Sequence, residues 1–362
     1  MADKSKIEWT DATWNPVRGC SRVSEGCRNC YAETVANRFC GPGSPYEGVV
    51  QVDADGKGLG KWNGQIKFVE RRLLDPLHWK EPRRIFVNSM SDLFHENVTD
   101  EMLDRIFAVM ALCPQHTFQI LTKRPERMLE YCSISNRRAA ITDAAEYLGL
   151  KAKYVDGHLQ ADSDGMAHWP LANVWLGVSV ENQKAADERI PLLLQTRASV
   201  RFLSVEPMLN AVNLDDFLYS RPGIDSGRLN RLHWVICGGE SGPGARPMHP
   251  DWARSLRDQC VGAGVPFFFK QWGEWGPGSV LMSTGERVFR EFADKQQWIN
   301  NGDTWVNGGV CMDSSGFELK RGSDFDVCKY PVTVIHRVGK KAAGDLLDGE
   351  QWHQFPAVGV TA

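Results

Sequence analysis

The sequence has no apolar run long enough to span a bilayer, and its opening stretch MADKSKIEWT lacks the apolar core of a secretory leader. Both absences lead to the expectation of a cytoplasmic protein with no membrane partner. Charge of one sign is also scarce. A formal net charge of -3 excludes a uniformly basic nucleic-acid coat and leaves room only for local patches. No internal repeat or low-complexity tract is present, which removes solenoid and disordered architectures. A disulfide framework is missing too: of ten cysteines, Cys40, Cys113, Cys132, Cys237, Cys260, Cys311 and Cys328 are scattered singly, as small buried hydrophobes would be in a reducing compartment.

The remaining cysteines, Cys20, Cys27 and Cys30, form a C-x6-C-x2-C cluster between a strand-like and a helix-like segment. Thiolates hold iron-sulfur clusters, and a complete cubane normally uses about four of them, so three leave one iron open to a small chelating ligand. Other readings stand beside this one: a zinc site completed by Cys40 or a histidine, a dithiol redox pair at Cys27 and Cys30, or coincidence. Zinc ribbons usually pair C-x2-C knuckles, and this chain has a single knuckle, so the open cluster is preferred.

Apolar runs bounded by turn signals predict strands over Lys6 to Thr10, Arg84 to Ser89, Thr117 to Thr122, Asn173 to Ser179, Val200 to Val205, His233 to Cys237 and Val265 to Lys270. Helical patterns alternate with them. One starts after Cys30, one after Thr99, and others where Pro125 and Pro250 suit a first turn. This α/β alternation implies a parallel sheet, and the polar or glycine-rich character of nearly every loop leaving a strand's C-terminal end favours a partial, incompletely closed β/α barrel of six to seven strands. The barrel is expected over residues 1–272, with inserts at 41–82 and 133–172. The first insert suggests hairpin content (Val49 to Val52, Gln65 to Glu70), and the second a helix over Arg138 to Leu148 followed by the polar stretch HLQADSDGMAH. Residues 273–362 read as a small β-rich appendage, with strands over Thr304 to Met312 and Val332 to Arg337 and a short helix near Gly339 to Gly344.

The segments TWNPVRGCSRVSEGCRNCYAE, RIFVNSMSDLFHE, FQILTKRPERM, VWLGVSVEN, RFLSVEPML, WVICGGESGPGARPMHPDWARSLRDQC, PFFFKQWGEW and HRVGKKAAGDLLDG together resemble a bacteriophage-associated family with a three-cysteine motif and no assigned reaction. That family resembles, more distantly, the radical S-adenosylmethionine enzymes of the spore photoproduct lyase group. The resemblance implies a [4Fe-4S] cluster on Cys20, Cys27 and Cys30, S-adenosyl-L-methionine on its open iron, a 5′-deoxyadenosyl radical, and a flavodoxin- or ferredoxin-type reductant. It also suggests a nucleobase, nucleotide or nucleic-acid substrate, in line with basic pairs at Arg71-Arg72, Arg83-Arg84 and Arg137-Arg138. The gap between Cys20 and Cys27 is longer than in that superfamily's commonest motif, and Asn29 stands where an aromatic residue is usual, with Tyr31 nearby.

Further candidates lie on the other strand-end loops. Asn88, Ser89 and Asp92 resemble the Ser/Thr-Asp element of the photoproduct lyase group and are assigned to the methionyl end; capping of the next turn is the alternative. Lys123 and Arg124 suit a carboxylate or phosphate, or a salt bridge to Asp92 or Glu206. Ser179 belongs to the same rim as Glu181, Asn182 and Glu206, which suit ribose hydroxyls or acid-base work, or satisfy loop amides. Gly238, Gly239 and Glu240 are further cofactor candidates, glycines within Gly238 to Gly244 letting backbone approach adenine or phosphate or simply forming a tight turn; the element follows the sixth strand, so the superfamily's own Gly-Gly-Glu role is not carried over. Trp272, with Trp275, would stack on a base or pack a small core. A non-enzymatic protein, stapled by zinc or an iron-sulfur cluster and binding nucleic acid or another partner, is the competing class.

Overall fold

The structure is a computed structural model describing residues 5–158, 171–219 and 231–357. Most of the HLQADSDGMAH stretch lies outside them. Seven strands, β1 (Ala12–Trp14), β2 (Arg84–Val87), β3 (Thr117–Thr122), β4 (Val174–Val180), β5 (Val200–Val205), β6 (Trp234–Gly238) and β7 (Phe267–Gln271), form one sheet in that spatial order. The sheet is parallel and curls into an open half barrel, as expected. Every residue of β4, β5 and β6 is buried, which is why these strands read as near-continuous apolar runs. Among the described residues no helix is long and apolar enough to cross a membrane.

The first strand lies later than expected. Lys6 to Thr10 is turn structure, and pairing starts at Ala12 opposite Ile85. Thr10 Oγ1 donates to the Arg84 carbonyl at 2.9 Å and the Asp11 carboxylate accepts from Arg84 N at 2.8 Å, so this clamp sets the register. Trp9 is nonetheless buried against Phe86 and Phe202, with ring centroids 4.8 and 6.4 Å away.

The chain divides into two compact units. One comprises Met1–Ser179, Glu188–Leu203 and Asp225–His233, the other Val180–Asp187, Ser204–Ile224 and Trp234–Ala362. In the first, helix α1 (Tyr31–Arg38) follows the cysteine loop, α2 (Asp100–Ala111) follows a Thr99 cap that accepts from Met102 N, and α3 (Pro125–Ser133) has its proline in the first turn. The first insert differs from expectation in its pairing. Val50–Val52 pairs with Gly58–Trp62, whereas Lys67–Phe68 pairs with Val17–Arg18, the segment leading into the cysteine loop. A core of Ala32, Ala36, Val49, Val50, Trp62 and Met90 joins hairpin to α1, with Cys20, Cys30 and Cys40 packed against it. The helix expected in the second insert runs Arg137–Tyr147.

Helix α4 (Gln183–Gln195) leaves the end of β4. In the second unit α5 (Pro250–Gly262) links β6 to β7, and the chain end returns along β7: Phe269 N donates to the Trp352 carbonyl at 2.7 Å. A further sheet is antiparallel and built around Val332–Arg337. Thr304 to Met312 is not one strand. A helix, Lys295–Trp305, capped by Asp294, ends there, and Gly308 at φ +75 turns the chain into the strand Gly309–Asp313.

Candidate functional site

The cysteine loop is fastened at both ends. Gly19, at φ +90, pairs with Ser91 beyond β2, and a Cβ there would overlap the Gln65 carbonyl, so only glycine admits the chain into the loop. Arg22, between the first two cysteines, forks onto Glu33 of α1 with Nη2 2.5 Å from Oε2, and Glu33 Oε1 accepts Trp62 N at 3.1 Å. Glu33 is almost fully buried and was not singled out from sequence. Its position one turn into the helix after Cys30 was the available signal.

Burial pushes the Cys20 thiol up to about 12; nearby Asp92 adds to the shift and the Arg124 guanidinium opposes it. Cys30 is also raised by burial, offset by the Glu33 and Ala32 amides at the start of α1. Cys20 and Cys30 pack against the same core, and Cys27 ends the short 3-10 turn Glu25–Cys27 between them. Among the described residues, however, no group of at least three His, Cys, Asp or Glu side chains is arranged to hold a metal ion.

Behind the loop lies a polar cluster. Asp92 Oδ1 accepts Phe94 N at 3.0 Å and Thr122 Oγ1 at 2.7 Å, while Oδ2 accepts Lys123 N and Arg124 Nη1, each at 3.1 Å. The Asp92–Arg124 bridge anticipated from sequence is therefore present, and Asp92 also caps its turn. Arg124 reaches further: Nη1 lies 3.9 Å from Cys20 Sγ, Nη2 donates to Ser21 Oγ at 2.7 Å, and Nε donates to Glu96 at 3.0 Å. Ser21 Oγ also meets buried His95 Nε2 at 3.0 Å. His95 Nδ1 accepts Asn97 N, and burial first, then Arg124, lower its pKa, which favours the neutral ring. Ser21, His95 and Glu96 were not singled out from sequence, because their association depends on pairing across more than seventy residues.

Asn88 ends β2 in the left-handed conformation at φ 59, which asparagine tolerates. Its Oδ1 accepts Val17 N at 3.3 Å, whereas its Nδ2 is buried with no hydrogen-bond partner among the described residues. Ser89 Oγ donates to Asn15 Oδ1 at 3.2 Å, and the Ser89 carbonyl accepts Tyr31 Oη at 2.5 Å. Lys123 Nζ donates to Ser179 Oγ at 2.6 Å. The first unit thus gathers Cys20, Cys27, Cys30, Asn88, Ser89, Asp92, Lys123, Arg124 and Ser179 at the carboxyl ends of β1 to β4.

In the second unit the remaining candidates are tied to the scaffold. The Glu181 carbonyl accepts Leu209 N at 2.8 Å, and Asn182 Oδ1 accepts Ala185 N at 3.0 Å in the first turn of α4. Glu206 Oε1 pairs with Lys270 Nζ at 2.9 Å, and a Cβ on Gly238 would stand 2.6 Å from that oxygen. A Cβ on Gly239 would overlap the Trp272 carbonyl. Arg246 forks onto Glu240 at 2.9 and 2.6 Å. Trp272 is buried, donates to the Leu346 carbonyl at 2.8 Å and packs on Phe269 and Phe289, so its ring serves the core rather than an incoming base. Trp275 Nε1 likewise donates to the Ala245 carbonyl.

Residues 4–356 match the family described as "Protein of unknown function (DUF5131)". The chain belongs to that family. No curated protein matches this DUF5131 member. Among solved structures it is similar to a cysteine-to-serine mutant of spore photoproduct lyase, at 11% identity over 72% of this chain and 75% of that one, with a TM-score of 0.38. It is also similar to a tyrosine-to-phenylalanine mutant of the same lyase, at 10% identity over 81% and 73% of the respective chains, with a TM-score of 0.32.

Proposed function

We propose that this protein is a radical S-adenosylmethionine-type enzyme acting on a nucleobase, nucleotide or nucleic acid, with Cys20, Cys27 and Cys30 as ligands of a [4Fe-4S] cluster. The observation that carries this reading is the cysteine loop leaving the carboxyl end of β1 and fastened beside the end of β2 through Gly19 and Ser91, at the strand ends where such folds keep their chemistry. A cubane takes its ligands at separate corners, so three cysteine ligands would leave one iron open to a chelating ligand. When bound and reduced, the cluster would supply the electron that cleaves S-adenosylmethionine to methionine and a 5′-deoxyadenosyl radical able to take a hydrogen atom from substrate.

The chain's own residues prepare this rim in three ways. Glu33 holds Arg22 and with it the loop carrying the thiols. Arg124, fixed by Asp92 and Glu96, sets a positive charge beside Cys20 that opposes the effect of the Asp92 carboxylate on that thiol. Asn88 Nδ2, buried and without an acceptor among the described residues, is a donor suited to a ligand carboxylate.

Anaerobic reconstitution tests the reading: the full chain should bind about four irons and four sulfides, and reduction with S-adenosylmethionine and a flavodoxin-type donor should release 5′-deoxyadenosine. Cluster-loaded protein that releases none would overturn it. A second reading, a non-enzymatic zinc- or cluster-stapled binding protein, is favoured by the engagement of Asp92 and Asn182 in scaffold hydrogen bonds. Stoichiometric zinc without iron after anaerobic preparation would select it.

A further inference from the structure

The basic pairs of the sequence do not share one fate. Arg137 is buried against Asp100, Asp104 and Tyr131, Arg138 pairs with Asp156, and Arg84 pairs with Asp11. Arg83 lies over the Trp79 ring at 5.2 Å. These side chains serve the scaffold.

The Arg71-Arg72 pair differs. It sits in the short helix Glu70–Leu73, just after the strand Lys67–Phe68, and that strand places Lys67 directly opposite Arg18. Val69 N donates to the Pro16 carbonyl at 2.7 Å, which holds the start of the helix carrying Arg71 and Arg72 against the Val17–Arg18 strand. Nearby carboxylates are committed elsewhere: Asp75 holds Arg72 at 3.2 Å and Glu70 holds Arg105 at 3.0 Å. Lys67 and Arg71 are exposed, and among the described residues no carboxylate pairs with either. Arg18 lies over the Tyr46 ring at 5.2 Å and donates through Nη1 to the Pro45 carbonyl, while its Nε is buried with no acceptor among the described residues.

Like charges held together without counter-charges cost stability, and a polyanion relieves that cost. The patch also has a position: Arg18 lies two residues before Cys20, on the strand that feeds the cysteine loop. We propose that Arg18, Lys67 and Arg71 form a phosphate-binding patch that seats the backbone of a nucleic-acid strand beside the cysteine loop. This extends the reading of the preceding section by making the substrate a polymer rather than a free nucleotide. Guanidinium and ammonium groups set along a strand and the following helix turn suit successive phosphates, which fix register without reading sequence.

Fluorescence anisotropy of a labelled oligodeoxythymidylate titrated with the full chain, over a series of salt concentrations, tests the proposal. Wild type should bind with a steep salt dependence. The variant Lys67→Glu/Arg71→Glu should bind about tenfold or more weakly, with the logarithmic salt slope smaller by about 0.7 for each lost phosphate contact. Both replaced side chains are exposed, and circular dichroism should confirm that the fold is kept. The charge-matched control Lys340→Glu/Lys341→Glu should bind as wild type does. Equal affinity for wild type and Lys67→Glu/Arg71→Glu, equal weakening by the control, or no binding by wild type would overturn the patch. The assay needs no cluster, so it fails or succeeds independently of deoxyadenosine release.

Discussion

The Arg124 guanidinium donates to Asp92 at 3.1 Å while the same nitrogen lies 3.9 Å from Cys20 Sγ. Both partners of the ion pair are largely buried, so neither charge is readily hydrated alone. Arg124→Met leaves Asp92 uncompensated and should cost about 3–5 kcal/mol in urea unfolding. Adding Asp92→Asn to that variant should recover part of the loss. A single variant as stable as wild type would show that water reaches the pair.

Cys40 separates the cluster reading from a zinc site. It packs with Cys20 and Cys30 in the same core, yet its Sγ lies 3.3 Å from the Asn37 carbonyl at the end of α1. Iron retained after anaerobic reconstitution should be unchanged in Cys40→Ser and largely lost in Cys20→Ser, Cys27→Ser or Cys30→Ser. Loss of metal in Cys40→Ser would indicate a fourth protein ligand and favour zinc.

Gly177 in β4 leaves room for an aromatic ring. A Cβ there would stand 2.6 Å from Cε1 and Cζ of Phe202. Gly177→Ala should destabilise by about 1–3 kcal/mol through overpacking. Phe202→Leu in the same background should restore part of it in thermal unfolding. An unaffected single variant would mean the ring moves freely.

Asn182 was a candidate ribose ligand, and its Oδ1 instead accepts Ala185 N at the head of α4. Asn182→Ala should cost about 1 kcal/mol, and Asn182→Asp, which keeps the accepting oxygen, should cost little. If Asn182→Asp keeps full stability but abolishes deoxyadenosine release by cluster-loaded protein, the side chain serves the cofactor as well as the helix.

His233 supplies a pH dependence. Its Nδ1 accepts Arg201 N at 3.0 Å, and burial, then the charges of Arg201 and Arg231, push its pKa down from 6.5 to about 4. Between those values the unfolded chain binds more protons than the folded one. Stability from this group is therefore full above about 6.5 and falls as pH drops toward about 4. After discounting for partial exposure the loss should be about 1–2 kcal/mol. Urea unfolding at stepped pH should show a steeper acid decline for wild type than for His233→Asn. Equal slopes would assign the decline to other groups.

Local chemistry was legible in the chain itself. The all-buried runs of β4 and β5, the Thr99 cap, the first-turn prolines of α3 and α5 and the cysteine spacing all depend on residues within a few positions of one another. The sequence by itself therefore determined the parallel α/β fold and the rim position of the thiols. The partner of each polar side chain depends instead on which strand ends meet and at what register, across separations the chain does not advertise. Asp92 is filled by Thr122, Lys123 and Arg124; Arg22 is held by Glu33; Lys67 is set opposite Arg18; Trp272 is drawn into the core. Only the tertiary structure decided those pairings, because burial makes an unmatched polar atom costly and each group takes the partner that the sheet brings within reach.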